Sequence, residues 1–301
     1  MKVINLLPVL LERLREWESP PKKAELAKHY LAPMEEWLKP MLEDWELHGG
    51  EALAEVVAGL DWKEYRESAL ELDPAAEEAR LLRQIRGVEK LLGVTLSGEA
   101  VLFGAFTMMD GYARFDRGSH RVFLAPDEFH LSGSYMDILM SHELTHVARE
   151  TRPEMWAGHG LPADLSHDDF SDKLPVIEHL YNEGFSCAVS ERLNPCDEPW
   201  HYAYQSRSTL AKILEHGAAV DKVVHEVIRT SKTGWGQMYN PSRYKPKMPQ
   251  YCHYVWAWAW ARSVIERQGG GDPRAVLAFP SSELVDDALA FRLTPDSVKK
   301  L

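Results

Sequence analysis

From the first residue to about residue 93, Leu, Trp and other apolar residues recur three and four positions apart between Glu and Lys, the spacing of amphipathic helices. Ser19-Pro20-Pro21, Pro33, Pro40, Gly49-Gly50 and Asp73-Pro74 interrupt the pattern and cut it into short helices. The first is expected to be an amphipathic helix over Met1 to Arg13, packed on the body. The period changes at residue 98. Val101–Phe106, Tyr112–Phe115 and Arg121–Leu124 read as short strands with turns at Asp110-Gly111 and Arg117-Gly118, so a small antiparallel sheet is expected. Helical spacing returns over Tyr135–Arg149, where Met136, Leu139, Met140, Leu144 and Val147 fit one stripe. Ser134 followed by Asp137 reads as the N-terminal cap of this helix, and Pro153 limits its length. A second helix runs from Pro175, suited to a first turn, to Leu193 before Asn194-Pro195. Later helices are expected over Ser208–Thr230 and over Tyr251–Arg267, the latter stopped by Gly269-Gly270-Gly271, with a short one at Leu284–Leu289. The pattern predicts an α+β, mostly helical chain: a helical N-terminal region over 1–97, then the sheet, two central helices and C-terminal helices over 98–301.

The helix over 135–149 contains His142-Glu143-Leu144-Thr145-His146, an H-E-x-x-H. Chance places this pattern in roughly a few per cent of chains of this composition, so its weight comes from the helix around it. Residues four apart lie one turn above the other on the same helix face, so both imidazoles can reach one metal ion. Glu143 leaves the helix at another angle, beside the metal, where a general base for an activated water is needed.

A third ligand has to come from elsewhere. Arg149 and Arg152 stand where a metzincin would carry a Gly and a third His. The second helix offers Glu183, beside Gly184, a residue tolerated inside a helix where a backbone or a metal site approaches closely. Two His and a Glu form the ligand set of a catalytic zinc site with an open fourth position. His179 shares the face of Glu183 and can bind metal or orient it. His159, His167, Asp164, Asp168 and Asp169, in the polar stretch between the two helices, are further candidates.

His142-Glu143-x-x-His146 followed by Asn182-Glu183-x-x-Ser186 resembles the gluzincin pattern of thermolysin-like peptidases. Three blocks are similar to the YjaZ-like predicted zinc-dependent proteases: Arg121–Asp127, His142–Arg149 and Glu183–Ser186. His253-Tyr254-x-x-Ala257 echoes a Gly-Tyr-x-x-Gly of that family, with both Gly replaced. The resemblance covers roughly residues 100–290 and implies a zincin-like metalloprotease domain over 98–301, with a sheet that offers its edge to an extended peptide. It also implies an oxyanion donor, Tyr254 first, then His253 or Tyr251. Where gluzincins often carry an Asp that orients a ligand His, this chain has Cys187, a weak acceptor. Orientation is therefore expected from Glu178 or a backbone carbonyl. Arg149 is expected either near the ligands, to meet a substrate carboxylate, or in a salt bridge at the helix end.

The cluster Tyr251–Trp260 otherwise reads as core. A net charge of −12 gives no general attraction to nucleic acid or anionic lipid. Cys187, Cys196 and Cys252 are too few and too scattered for a disulfide framework. The N-terminal apolar patch is too short for a membrane span and lacks a small-residue cleavage site, so a cytoplasmic location is expected. The expected function is zinc-dependent peptide-bond hydrolysis of a peptide or protein substrate, with Zn²⁺ on His142, His146 and Glu183 and Glu143 as general base. The alternative is a zinc-binding regulatory or interaction protein with little catalysis.

Overall fold

A computed structural model describes residues 1–44, 51–127, 133–230, 249 and 251–298. The expected break at Gly49-Gly50 lies outside them. Two compact units interleave along the chain: Met1–Ile85 with Ser97–Arg114 and His120–Met140, and Arg86–Leu96 with Phe115–Ser119 and Ser141–Leu301. They do not follow a single cut at residue 97.

The first unit holds most of the sheet. Its strands are β1 (Lys2–Asn5), β2 (Glu99–Leu102), β3 (Gly111–Asp116) and β4 (Ser119–Leu124), in the order β1-β2-β4-β3. The sheet is mixed, not antiparallel. β1 pairs parallel with β2, and β2 pairs parallel with β4. Only β3 and β4 form a hairpin, across Arg117-Gly118, where both residues take the positive φ of a two-residue turn. The chain's start is therefore a strand, not a helix: β-branched Val3 and Ile4 take sheet positions opposite Ala100 and Val101.

Helix α1 (Leu7–Glu16) follows and buries Leu7, Leu10, Leu11 and Leu14, one stripe at helical spacing. After α2 (Lys23–Leu26) comes α3 (Glu35–Asp44), which contains Pro40 instead of breaking there. Proline cannot donate to the carbonyl four residues back. That carbonyl, on Glu36, accepts from Arg121 at 3.4 Å, and the next, on Trp37, accepts from the same nitrogen at 2.8 Å. The unit continues with α4 (Glu51–Gly59) and α5 (Trp62–Ala69). The long α6 (Pro74–Leu92) starts in this unit with Asp73 accepting from the N–H groups of Ala75 and Ala76.

Helix α7 (Gly133–Glu150) starts one residue before the expected cap, so Ser134 lies inside it. From Ser141 on it belongs to the second unit. That unit continues with α8 (Pro153–Gly158), α9 (His167–Lys173) and α10 (Val176–Leu193), the last entered through Pro175 and left at Asn194. The helix expected over 208–230 is two, α11 (Arg207–Glu215) and α12 (Gly217–Thr230), broken at His216. A Cβ on Gly217 would stand 2.4 Å from the Leu293 carbonyl oxygen, so the bend brings two backbones together. Helix α13 (Cys252–Gly269) ends at left-handed Gly270, and α14 (Val285–Ala290) is the short final helix.

Helix α10 is the centre of the second unit. Every residue from Val176 to Ser190 is buried except Glu183, including the polar Glu178, His179, Asn182 and Ser186. A helix buried all round is a core helix, and this many polar groups on one needs partners or a function. The Trp residues of α13 are core, as expected, and each satisfies its N–H on a carboxylate at 2.9 Å: Trp256 on Asp221, Trp258 on Glu191, Trp260 on Asp287. No helix among the described residues is long and apolar enough to cross a membrane, and Cys187, Cys196 and Cys252 are free thiols.

Candidate metal centre

The second half of α7 and the middle of α10 bring three donors together. His142 and His146 stand one turn apart, with their Nε2 atoms 3.0 Å from each other. Glu183 Oε2 lies 3.1 Å from His142 Nε2 and 3.6 Å from His146 Nε2. The three residues form a group able to hold a metal ion. Glu143, buried on the same helix, is not among the converging donors, but its charge reaches His146.

The charges fit together. Burial pulls His146 down, but Glu183, Glu143 and Glu150 outweigh it and push the imidazole up to about 10. Burial likewise opposes ionisation of Glu183, while His146 and His142 hold it well below the usual carboxylate range. An ionised carboxylate and a basic His146 imidazole are what a cation would meet.

The outer ring nitrogens have modest partners. His142 Nδ1 lies 3.7 Å from the Cys187 thiol. His146 Nδ1 lies 3.4 Å from the Ser186 hydroxyl and 4.0 Å from Glu150, whose carboxylate accepts from Asn182 at 2.8 Å. The orienting role expected of Glu178 is not seen. Its carboxylate accepts from Arg149 at 2.6 Å, pairs with His159 at 2.9 Å and accepts from the Ser281 N–H at 3.1 Å. Arg149, fully buried, also donates to the carbonyls of Leu277 and Phe279 and lies over the Tyr181 ring. It is the internal salt bridge of the two expectations, closed to a substrate carboxylate.

The other candidates separate. His179 is buried beside the group but is not one of its three donors; burial pulls it down to about 4 against the nearby carboxylates. His159 serves Glu178, His167 donates to the Phe115 carbonyl at 3.1 Å, and Asp169 pairs with Lys173 at 2.7 Å. Asp164 and Asp168 are exposed.

Of the expected oxyanion donors, His253 is buried and pulled down to about 4, with the charge of Glu183 opposing the shift. Tyr254 packs on His253 with ring centres 4.8 Å apart, and exposed Tyr251 is the N-terminal cap residue of α13. One residue was missed. Tyr204 packs edge-on against His142, ring centres 5.0 Å apart, and its ring is 5.8 Å from that of Tyr254. It closes a 3₁₀ turn over Pro199–Ala203, and nothing marks it in the sequence beyond the aromatic run Trp200-His201-Tyr202-Ala203-Tyr204.

Comparison of the chain with protein-family models, with curated proteins and with solved structures gave no match.

Proposed function

We propose that the protein is a zinc-dependent peptidase. The observation that carries this reading is the convergence of His142, His146 and Glu183 with Glu143 next to the first ligand. Donor atoms about 2.0–2.1 Å from a zinc ion stand about 3.3 Å apart in tetrahedral geometry. The separations here are 3.0, 3.1 and 3.6 Å, so the donor set fits that ion without a change of fold. Three protein ligands leave a fourth position open, the arrangement of catalytic rather than structural sites. The similarity of the H-E-x-x-H and Glu183 segments to gluzincins and YjaZ-like proteases supports the same reading.

When bound, zinc supplies Lewis-acid polarisation of a carbonyl and lowers the pKa of water. Glu143 takes a proton from the attacking water and delivers it to the leaving nitrogen.

The competing reading is a metal-binding regulatory protein. Cys187 favours it, because a thiol 3.7 Å from His142 Nδ1 orients that ligand more weakly than a carboxylate does.

Glu143→Gln separates the two readings. The variant should hold zinc as the wild type does and lose about 10²–10⁴-fold in hydrolysis of a fluorogenic peptide library. A chelator should abolish wild-type cleavage. Equal cleavage by the two proteins would overturn the peptidase reading.

A further inference from the structure

Tyr204 is held beside a metal ligand in a conformation that bulky side chains avoid. Its φ of 55° and ψ of 39° are left-handed. The turn around it is fastened on every side. Tyr204 N–H donates to the His201 carbonyl at 3.1 Å, Gln205 N–H to the Trp200 carbonyl at 2.9 Å, and the Gln205 side chain to the Ala203 carbonyl at 3.1 Å. The Tyr202 hydroxyl ties the turn to the end of α10, accepting from Cys196 N–H at 2.7 Å and donating to the Asn194 carbonyl at 2.9 Å. A strained residue persists where its surroundings over-determine it, and such residues gather at functional sites.

What this turn delivers is one phenol to one ligand. The Tyr204 ring meets His142 at 83°, with centres 5.0 Å apart. Tyr204 as a residue is partly exposed, but its hydroxyl oxygen is buried, as is His142. Tyr254 contacts Tyr204 and His253, one ring further along. A phenol is a neutral hydroxyl donor at neutral pH.

Resting on the peptidase reading, we propose that Tyr204 is a catalytic residue. Its hydroxyl donates a hydrogen bond to the substrate's carbonyl oxygen as that oxygen gains negative charge.

The test uses Tyr204→Phe, which keeps the ring and removes only the hydroxyl, with Tyr254→Phe beside it. Zinc content and circular dichroism should match the wild type in both. Calorimetric titration of the zinc-loaded proteins with acetohydroxamate reads a ligand oxygen at the open position without any turnover. Tyr204→Phe should weaken that binding by about tenfold, one hydrogen bond's worth. In peptide hydrolysis its kcat should fall about 10²-fold with KM nearly unchanged, the mark of a donor used only in the transition state. The proposal fails if Tyr204→Phe stays within about twofold of the wild type in hydroxamate affinity. It fails equally if Tyr254→Phe alone shows the loss, or if the zinc-loaded wild type binds no hydroxamate. Should the wild type cleave no peptide, the peptidase reading falls, and the hydroxamate titration still decides whether Tyr204 touches a ligand at the metal.

Discussion

A methyl group placed on Gly184 would stand 2.1 Å from the carbonyl oxygen of Ala257, so α10 and α13 meet backbone to backbone one residue after Glu183. A glycine inside a helix costs about 1 kcal/mol against alanine. Here that cost sets the depth at which the Glu183 carboxylate reaches the two histidines. Gly184→Ala should destabilise the protein by at least about 1–3 kcal/mol, the range for overpacking, and lower the melting temperature by several degrees. It should also weaken zinc binding by displacing Glu183. Gly59→Ala is the control, since nothing lies within 4 Å of a Cβ there. Differential scanning fluorimetry that finds the two variants equally stable would refute the close-approach account.

The ligand assignment separates neighbours on one helix. His142→Ala and His146→Ala should each strip zinc, and Glu183→Ala should lower its affinity strongly. His179→Ala, whose imidazole is not one of the three converging donors, should cost about 10–100-fold at most. Competition with a chromophoric chelator measures all four. Loss of zinc from the His179 variant but not from the Glu183 variant would mean that the ligand has been placed one turn out.

Zinc must displace a proton. In the metal-free protein the carboxylates around His146 outweigh its burial and push it up to about 10, so the ring is protonated at pH 7. An imidazole must be neutral to bind a metal. Apparent zinc affinity should therefore rise about tenfold per pH unit between pH 7 and 9, with close to one proton released per zinc. Titration in buffers of different ionisation enthalpy reads that proton. An affinity flat with pH would show that His146 is already neutral.

Much of this site was legible in the sequence because its parts are local. An H-E-x-x-H on a helix puts two imidazoles on one face by the 3.6-residue turn alone, and Gly184 inside a helix signalled a close approach next to Glu183. What was missed depends on contacts far apart in the chain. β1 takes its place only by pairing with β2, nearly a hundred residues later, and the Glu36 carbonyl that Pro40 leaves without its helical donor accepts from the distant Arg121. Arg149 and Glu178 drew functional readings since their mutual burial cannot be seen along the sequence. Tyr204 reaches His142 through a turn with no periodicity to announce it.

The buried imidazoles also make stability depend on pH in a definite direction. Burial pulls both His179 and His253 down to about 4, against an ordinary value near 6.5. A folded-state pKa below the unfolded one means that the unfolded chain binds the proton first. The stabilisation is complete above about pH 6.5 and is lost as pH falls through 4. Glu178 gives a second, lower window: burial works against its ionisation, but Arg149 and His159 hold it at about 2, so its share goes between about pH 4.5 and 2. His146 in the metal-free protein has the opposite sign, its stabilisation being lost only as pH rises toward 10. Urea unfolding of chelator-treated protein should therefore show stability falling from pH 7 to pH 4. His179→Gln, which cannot titrate, should remove up to about 3 kcal/mol of that fall, since a shift of one pKa unit is about 1.4 kcal/mol. Comparing the variant's slope with that of the wild type cancels every other titrating group. If the two slopes coincide between pH 6.5 and 4, His179 is protonated in the folded protein, and the buried, neutral imidazole beside Glu183 is wrong.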